Sequence, residues 1–181
     1  IPTDIEIAFD PTVLLEVTFP EPGASPIGLT AGVQLLRNAT AGPPTFGILV
    51  NESQSIPSGP FVVATIDPDA PTPQQPTNAQ IRHFLGGDFT LGPVGPDGVA
   101  PLTNSTPAIS EFRQPTPPAG SDAHRYIFLL FKQSDAFENQ TLVNSTTSIS
   151  GFNISQFAEA VGLGDPLGGT FMLVAPAPTA S

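Results

Sequence analysis

Short apolar runs recur along this chain between polar turn residues, and they predict a domain built from β-strands. Each run carries β-branched or aromatic side chains and is bounded by Gly, Pro, Asn, Asp or Ser, which is typical of strands joined by turns. The predicted strands are 13–19, 32–36, 46–50, 61–66, 81–89, 125–131 and 170–174.

Two segments depart from the simple strand pattern. The run YIFLLF within 125–131 is apolar on both faces, which predicts a central strand covered from both sides. Residues 153–162 predict one helix: Asn153 can cap it, Ile154, Phe157 and Val161 share a face, and Gly162 can end it.

The remaining segments predict loops around a single domain. Residues 91–108 and 114–123 are rich in Gly, Pro or polar residues and are predicted to be long loops. No repeat or linker divides the chain, so we expect one domain over 1–175 and a loose Pro/Ala-rich tail over 176–181. With 23 Pro and 17 Gly in 181 residues, long helices are disfavoured. The predicted fold class is mainly β and antiparallel, with a few short peripheral helices including one near the C-terminus.

Composition narrows the range of partners. Five basic and sixteen acidic residues give a net charge of −11, which repels nucleic acids and anionic membranes at long range. The chain has no cysteine, so zinc–thiolate sites and disulfides are excluded. No apolar run is long enough to predict a transmembrane segment.

The asparagines indicate a secretory route. Six of the seven open an Asn-x-Ser/Thr sequon, whereas chance would give about one in seven. We therefore expect an N-glycosylated, secreted or secretory-pathway protein, although Asn-Ser/Thr pairs also populate turns. The candidate glycosylation sites are Asn38, Asn51, Asn104, Asn139, Asn144 and Asn153, of which Asn153 also suits a helix cap.

Acidic and imidazole side chains occur where predicted strands end. Asp67 and Asp69 follow strand 61–66 in IDPDAPT, His83 lies in IRHFL, and His124 begins HRYIFLLF. Strand alternation places His124 on the same face as Tyr126. If these strand ends meet, two imidazoles could donate hydrogen bonds to an oxyanion while the carboxylates orient and charge them.

Simpler explanations exist for each of these signals. An Asp-Pro-Asp sequence is common in Asx-type turns, and a histidine at a strand edge is often structural. Arg113 and Arg125 lie near the same segments, where they could steer a ligand or pair with Glu111 and Asp122.

Longer stretches of the chain resemble one known family. The segments FVVATIDPDAPTPQQPTNAQIRHFL (61–85), SEFRQPTPPAGSDAHRYIFLLFKQ (110–133) and FNISQFAEAVGLGDPLGGTFML (152–173) resemble the phosphatidylethanolamine-binding proteins. The similarity covers most of the second two-thirds of the chain, and residues 1–60 match only loosely.

The resemblance implies a fold and a site. It implies a β-sandwich-like core of antiparallel sheets with a small anion pocket for phosphate, phosphorylethanolamine or similar headgroups. The implied ligand-binding positions are Asp67, Asp69, Ala70, Pro71, His83, Pro117, Pro118, His124 and Tyr126. No cofactor or metal is implied.

Three positions depart from the family pattern. An aromatic residue and a further histidine commonly precede the pocket histidine, where this chain has Ile81 and Arg82. Thr116 stands where the family tends to have glycine before the Pro-Pro pair, and its Cβ is expected to narrow the mouth of the pocket.

Three functions follow from these observations. The first is a non-catalytic binding protein for a phosphorylated or otherwise anionic headgroup. The second, which family precedent implies, is an inhibitor of a secreted or vacuolar serine carboxypeptidase or another hydrolase. The third is an enzyme, and it is disfavoured because neither a nucleophile motif nor a metalloprotease motif is present.

Overall fold

A computed structural model describes residues 1–178, and it folds around one nine-stranded curled sheet. The strands are β1 Leu14–Phe19, β2 Ile27–Gly28, β3 Val33–Leu35, β4 Thr45–Leu49, β5 Phe61–Asp67, β6 Ile81–Leu91, β7 Val99–Thr103, β8 His124–Lys132 and β9 Gly168–Val174. Their spatial order is β2-β1-β4-β7-β6-β5-β8-β9-β3. Neighbouring strands are antiparallel except β3 and β9, which are parallel.

The sheet curls because β1 returns to lie against β9. The backbone N–H groups of Thr12 and Val13 both donate to the carbonyl of Leu167, at 2.8 and 3.0 Å. This contact encloses an inner core of alternating side chains from both ends of the sheet, in which Val17 and Phe19 of β1 meet Phe128 of β8. The predicted sandwich-like, mainly β fold is confirmed.

A second core covers the outer face of the central strands. Short helices α1 Asp135–Glu138 and α2 Ile154–Ala160 lie there, and Phe157 of α2 packs in the same cluster as Leu129 of β8 and Val62 of β5. Strand β8 is therefore buried on both faces, as its continuous apolar run predicted. Asn153 caps α2 by accepting from the N–H of Gln156 at 2.9 Å.

The seven predicted strands and the predicted helix are present, with ends shifted by up to two residues. The prediction of a long loop over 91–108 was wrong, because residues 99–103 form β7 and pair with β4. The sequence of β7 has few strand signals, and its pairing depends on distant β4. Helix α1, the short strand β2 and a 3₁₀ turn at Arg37–Thr40 were also not predicted.

Within residues 1–178, no helix is long and apolar enough to cross a membrane. Of the predicted tail 176–181, residues 179–181 lie outside the described part of the chain. The single-domain boundary at residue 175 stays a prediction.

Candidate functional site

A cleft of about 490 Å³ opens where the end of β5 meets the starts of β6 and β8. The structure therefore brings together the strand ends that the sequence marked with Asp67, His83 and His124. Asp69, Pro71 and Pro117 do not contribute to its lining within the described chain. The side chains that line it are Asp67, Ala70, Ile81, His83, Arg113, Gln114, Thr116, Pro118, His124, Tyr126 and Ile149.

A β-bulge places His83 in this cleft. Thr65 of β5 pairs with Phe84, but the next residue, Ile66, pairs with Arg82, so His83 is the extra residue. Arg82 and Leu85 therefore face the outer side of the sheet, whereas His83 and Phe84 both face inward. Without the bulge, strand alternation would place His83 and Phe84 on opposite faces.

A buried acid–base pair forms the inner wall. Oδ2 of Asp67 lies 2.8 Å from Nδ1 of His124, and both residues are nearly inaccessible to solvent. Burial alone would lower the pKa of His124, but the hydrogen bond and the negative charge of Asp67 outweigh it, so the pKa of His124 is raised. Oδ1 of Asp67 also accepts from the N–H of Asp69 at 2.8 Å, so the Asx turn and the acid–base pair coexist.

The other ring nitrogen of His124 is also occupied. Nε2 lies 3.1 Å from the carbonyl oxygen of Pro71 and 3.0 Å from Oγ of Ser121. A carbonyl can only accept, so Nε2 carries a proton, and Nδ1 faces a carboxylate. This arrangement favours the doubly protonated imidazolium, and it corrects the expectation that His124 offers a donor to a ligand.

Hydrogen bonds connect Ser121, His124 and Asp67 in the order of a hydrolytic triad. The hydrogen bond between the serine and the histidine, however, runs in the opposite direction. The hydroxyl of Ser121 donates to the carbonyl of Asp122 at 2.8 Å, so its oxygen is the acceptor toward His124. A triad histidine needs a lone pair directed at the serine hydroxyl, and here that nitrogen donates instead. Sequence motifs gave no sign of this cluster.

Only one ring nitrogen of His83 is hydrogen-bonded to a described residue. Its Nδ1 donates to the carbonyl of Arg113 at 2.8 Å, while no described residue is hydrogen-bonded to Nε2. Burial lowers the pKa of His83, although the Arg113 carbonyl and the charge of Asp67 partly oppose this. The neutral ring thus presents the lone pair of Nε2 to the cleft.

Tyr126 lies between the two histidines. Its ring meets His83 edge-on at 5.0 Å between centroids and stacks on His124 at 6.4 Å. Burial, together with the charges of Asp67 and Asp69, raises the pKa of its phenol, which therefore stays neutral.

Asp69 serves a different purpose from the one predicted. Its carboxylate accepts from the backbone N–H of Arg125 at 2.8 Å and from the guanidinium at 2.7 and 2.9 Å. Arg125 faces away from His124 along the strand, as alternation predicted, and it also binds both carboxylate oxygens of Asp4. Asp69 therefore fixes the loop after β5 to the N-terminal segment, and its negative charge makes only a smaller contribution to the raised pKa of His124 than Asp67 does.

Arg82 neither faces solvent nor points into the cleft. The side chain is 1% exposed and donates to Oγ of Ser110 at 2.6 Å and to the carbonyls of Thr147 and Ser148 at 3.0 and 3.2 Å. Its backbone N–H donates to the carbonyl of Ile149 at 2.9 Å. Because Ile149 lines the cleft, Arg82 positions one of its walls from behind.

Two of the departures from the family pattern contribute to the lining directly. Ile81 gives an aliphatic wall, and Thr116 is an exposed residue of the lining. Arg113 also lines the cleft, and among residues 1–178 no carboxylate forms a salt bridge with it. Of the two alternatives for Arg113 and Arg125, pairing with Glu111 and Asp122 is not found in that part of the chain.

The sequons differ in accessibility. Asn38, Asn51, Asn139 and Asn144 are exposed, whereas Asn104 and Asn153 are half-buried. The amide of Asn104 donates to the carbonyl of Gly87 at 3.1 Å, and the Asn153 side chain is the cap of α2. The two half-buried side chains are thus already used within the fold.

Comparison with known proteins identifies relatives of the chain. The family model described as phosphatidylethanolamine-binding protein matches residues 27–172. Phomoidride biosynthesis cluster protein N of Talaromyces stipitatus is 31% identical over 121 residues, which are 64% of this chain and 59% of that protein. CEN-like protein 4 of Nicotiana tabacum is 27% identical, covering 90% of this chain and 81% of the relative. The 26 kDa secreted antigen of Toxocara canis is 27% identical, covering 89% and 56%.

Solved structures share the fold. A carboxypeptidase Y inhibitor, crystallised with its cognate proteinase, superimposes with a TM-score of 0.78 at 20% identity, covering 97% of this chain and 90% of that one. A phosphatidylethanolamine-binding protein from Plasmodium vivax gives a TM-score of 0.66 at 18% identity, covering 93% and 87%.

Replacing Asp67 by Asn should uncouple the buried pair. The folded pKa of His124 lies above that of the unfolded chain, so the pair stabilises the fold fully below about pH 6.5 and loses this contribution as pH rises through the raised value. We expect Asp67→Asn to lower the free energy of unfolding by about 1–3 kcal/mol at pH 5.5 and by less at pH 9. Urea denaturation at both pH values measures this.

The matched control is Asp10→Asn, which removes a charge from an exposed site. In Asp67→Asn, NMR titration should also show a lower pKa for His124, because burial is then opposed only by the Pro71 carbonyl and the charge of Asp69. A pKa of His124 that does not change would contradict this account of the pair.

Proposed function

The chain belongs to the phosphatidylethanolamine-binding protein family, and we propose that its cleft binds a small phosphorylated headgroup such as phosphorylethanolamine without catalysing a reaction. The observation that carries the proposal is Nε2 of His83, which has no hydrogen-bond partner among residues 1–178 and shares the cleft with Arg113. Arg113 has no carboxylate partner in the described part of the chain. In a protein with a net charge of −11, such an arginine forms a local cationic site that favours an anion.

Phosphate binding at this position requires a proton. Nε2 of neutral His83 has a lone pair, which repels the oxygen of a dianionic phosphate. The contact forms when either His83 or the phosphate is protonated, and in both cases one hydrogen lies between the nitrogen and the oxygen. At neutral pH that proton comes from the solvent.

Asp67 supports a zwitterionic ligand. Each of its oxygens already accepts one hydrogen bond, from His124 and from the N–H of Asp69, and each retains further acceptor capacity. An ammonium group at this wall would meet a carboxylate while the phosphate meets Arg113 and His83. The ethanolamine headgroup has both charges.

The direction of the Ser121–His124 hydrogen bond favours binding over catalysis. A general base at Nε2 would have to release its contact with the Pro71 carbonyl before it could accept the serine proton. We therefore assign His124 to holding the wall of the cleft together with Asp67.

Titration calorimetry tests the headgroup site at pH 7. We expect phosphorylethanolamine to bind and ethanolamine not to bind. Repeating the titration in buffers of different ionisation enthalpy should reveal uptake of up to about one proton per site. His83→Gln keeps an N–H donor but cannot titrate, so it should lose the proton uptake and about tenfold in affinity.

A charge-matched pair of variants localises the anion. Arg113→Gln should weaken binding by about tenfold, because it removes a charge-assisted contact. Lys132→Gln removes the same charge from the far end of β8 and should leave the Kd unchanged. Equal effects of the two variants, or equal heats for phosphorylethanolamine and ethanolamine, would refute the site. Tyr126, the single tyrosine in a chain without tryptophan, gives an independent fluorescence readout.

Inhibition of a serine carboxypeptidase is the second candidate function. It is favoured by the similarity in fold to the carboxypeptidase Y inhibitor over nearly the whole chain. The N-terminal segment of this chain precedes the first strand and is anchored by buried Ile5 and by the Asp4–Arg125 ion pair, so it offers an ordered surface without strand pairing.

An inhibition assay decides this candidate. If the protein is such an inhibitor, micromolar amounts should suppress hydrolysis of a peptide substrate by carboxypeptidase Y. Asp4→Asn should weaken the effect by about three- to tenfold, since it removes the charged anchor of the segment. Full enzyme activity at micromolar protein would rule this function out for that proteinase.

We further propose that the protein is secreted and carries N-glycans at Asn38, Asn51, Asn139 and Asn144. The support is their exposure together with the excess of sequons. Protein from its native source should lose mass on glycosidase treatment, and peptide mapping should place the glycans at these four sites. Unmodified asparagine at all four would count against the secretory route.

A further inference from the structure

Besides pairing with β5, the start of β6 is hydrogen-bonded to a second stretch of chain, residues 147–152. The backbone N–H of Arg82 donates to the carbonyl of Ile149 at 2.9 Å. Gln80, immediately before the strand, and Phe152 exchange two backbone hydrogen bonds at 2.9 and 3.0 Å. This segment therefore lies along β6 up to the β-bulge.

At the bulge, β6 changes to a different partner, residues 110–113. The backbone N–H of Arg113 donates to the carbonyl of His83 at 2.9 Å, and the carbonyl of Arg113 accepts from Nδ1 of the His83 ring at 2.8 Å. The change of partner thus falls between two neighbouring residues of the strand. Each segment contributes to the lining of the cleft, the first with Ile149 and the second with Arg113.

The side chain of Arg82 bridges these two segments on the outer face of the sheet. Its Nε donates to Oγ of Ser110 at 2.6 Å in the second segment. Its two terminal nitrogens donate to the carbonyls of Thr147 and Ser148 at 3.0 and 3.2 Å in the first. The guanidinium also lies 5.2 Å from the centre of the Phe152 ring. A planar fork of five N–H donors can hold acceptors in several directions at once, which a single ammonium group cannot.

Burial excludes a direct contact between Arg82 and a ligand in the cleft. The residue is only 1% exposed, and its side chain faces the outer core, whereas His83 faces inward. An effect of Arg82 on the site must therefore pass through the backbone segments that it holds.

We propose that Arg82 is a positioning residue of the headgroup site, because its bridge to Ser110, Thr147 and Ser148 (the Arg82 bridge) fixes the Arg113 carbonyl against the ring of His83. The inference rests on the proposed function and adds a residue that acts on the ligand without touching it. Ser110 lies three residues before Arg113, so a shift of Ser110 displaces the carbonyl that holds the imidazole.

The Arg82 bridge thereby determines which nitrogen of His83 carries the proton. With the Arg113 carbonyl in place, the neutral ring is protonated on Nδ1 and presents the lone pair of Nε2 to the cleft. When that carbonyl moves away, no contact holds the proton on Nδ1, and the tautomer protonated on Nε2 becomes populated.

The variant Ser110→Ala tests the bridge while leaving Arg82 and its charge in the protein. Long-range nitrogen–proton NMR spectra of the ligand-free variant, at about pH 8, should show part of His83 in the Nε2–H form, whereas the original protein shows the Nδ1–H form. Calorimetric proton uptake on binding phosphorylethanolamine should also fall, because Nε2–H donates to the phosphate without a proton from the solvent.

Replacing Arg82 itself should have a larger effect. Arg82→Met releases both segments, so we expect the same change of tautomer and a Kd for phosphorylethanolamine about three- to tenfold higher. Arg82→Lys keeps the charge but cannot hold both segments, and it should behave like Arg82→Met. Full rescue by lysine would show that the charge alone matters and would overturn the bridge.

Ser134→Ala is the matched control. It removes a serine hydroxyl that accepts from the N–H of Phe137 at 3.0 Å and caps α1 beyond the far end of β8. We expect this variant to be less stable in urea, with the tautomer of His83 and the proton uptake unchanged. The same change of tautomer in Ser134→Ala would indicate general loosening of the fold, and the bridge would be wrong.

The measurements separate this proposal from the headgroup function. An unchanged Nδ1–H form of His83 in Ser110→Ala and Arg82→Met overturns the bridge, whether or not phosphorylethanolamine binds. If Arg82→Met does not fold, Ser110→Ala decides alone. Failure of the original protein to bind phosphorylethanolamine overturns the headgroup function, while the spectra of the ligand-free protein still decide whether the bridge positions His83.

Discussion

The central strands β5 and β8 end in a buried acid and a buried base, and each is tolerated because of the other. Asp67 and His124 both lie out of solvent, where an isolated charge would be strongly destabilising. Their hydrogen bond fixes the ends of two strands that are covered on both faces. The inner wall of the cleft therefore results from the pairing of these two buried charged groups within the sheet.

Two of the four arginines are bonded to other residues of the fold, and two line openings on the surface. Arg125 holds Asp4 and Asp69 together, and Arg82 holds the loop around Ile149 through carbonyls and a serine hydroxyl. Arg113 lines the cleft instead, and Arg37 lines a neighbouring groove that shares Gln114 with it. Neither of these two arginines forms a salt bridge within residues 1–178.

The cleft contains the residue types of a catalytic triad, but its serine–histidine hydrogen bond runs in the opposite direction. Serine, histidine and aspartate are connected in series, yet the serine hydroxyl donates away from the histidine. The direction of the hydrogen bond between Ser121 and His124 depends on a third partner, here the carbonyl of Pro71.

The sequence by itself determined the features that depend only on the order of neighbouring residues. Alternation and apolar runs located seven strands, the doubly buried β8 and the common face of His124 and Tyr126, and cap chemistry located α2. Motif spacing identified the acid and the two imidazoles of the cleft. These features follow from side-chain periodicity and local hydrogen bonding, which neighbouring residues specify.

Tertiary structure decided which partner each polar group received. The bulge that turns His83 inward, the capture of Asp69 by Arg125 and the burial of Arg82 depend on the register of distant strands. Strand β7 escaped prediction because its pairing with β4 outweighs a weak local preference. A charged side chain pairs with a complementary group that lies close to it in space. The separation of two residues along the sequence carries little information about the distance between their side chains.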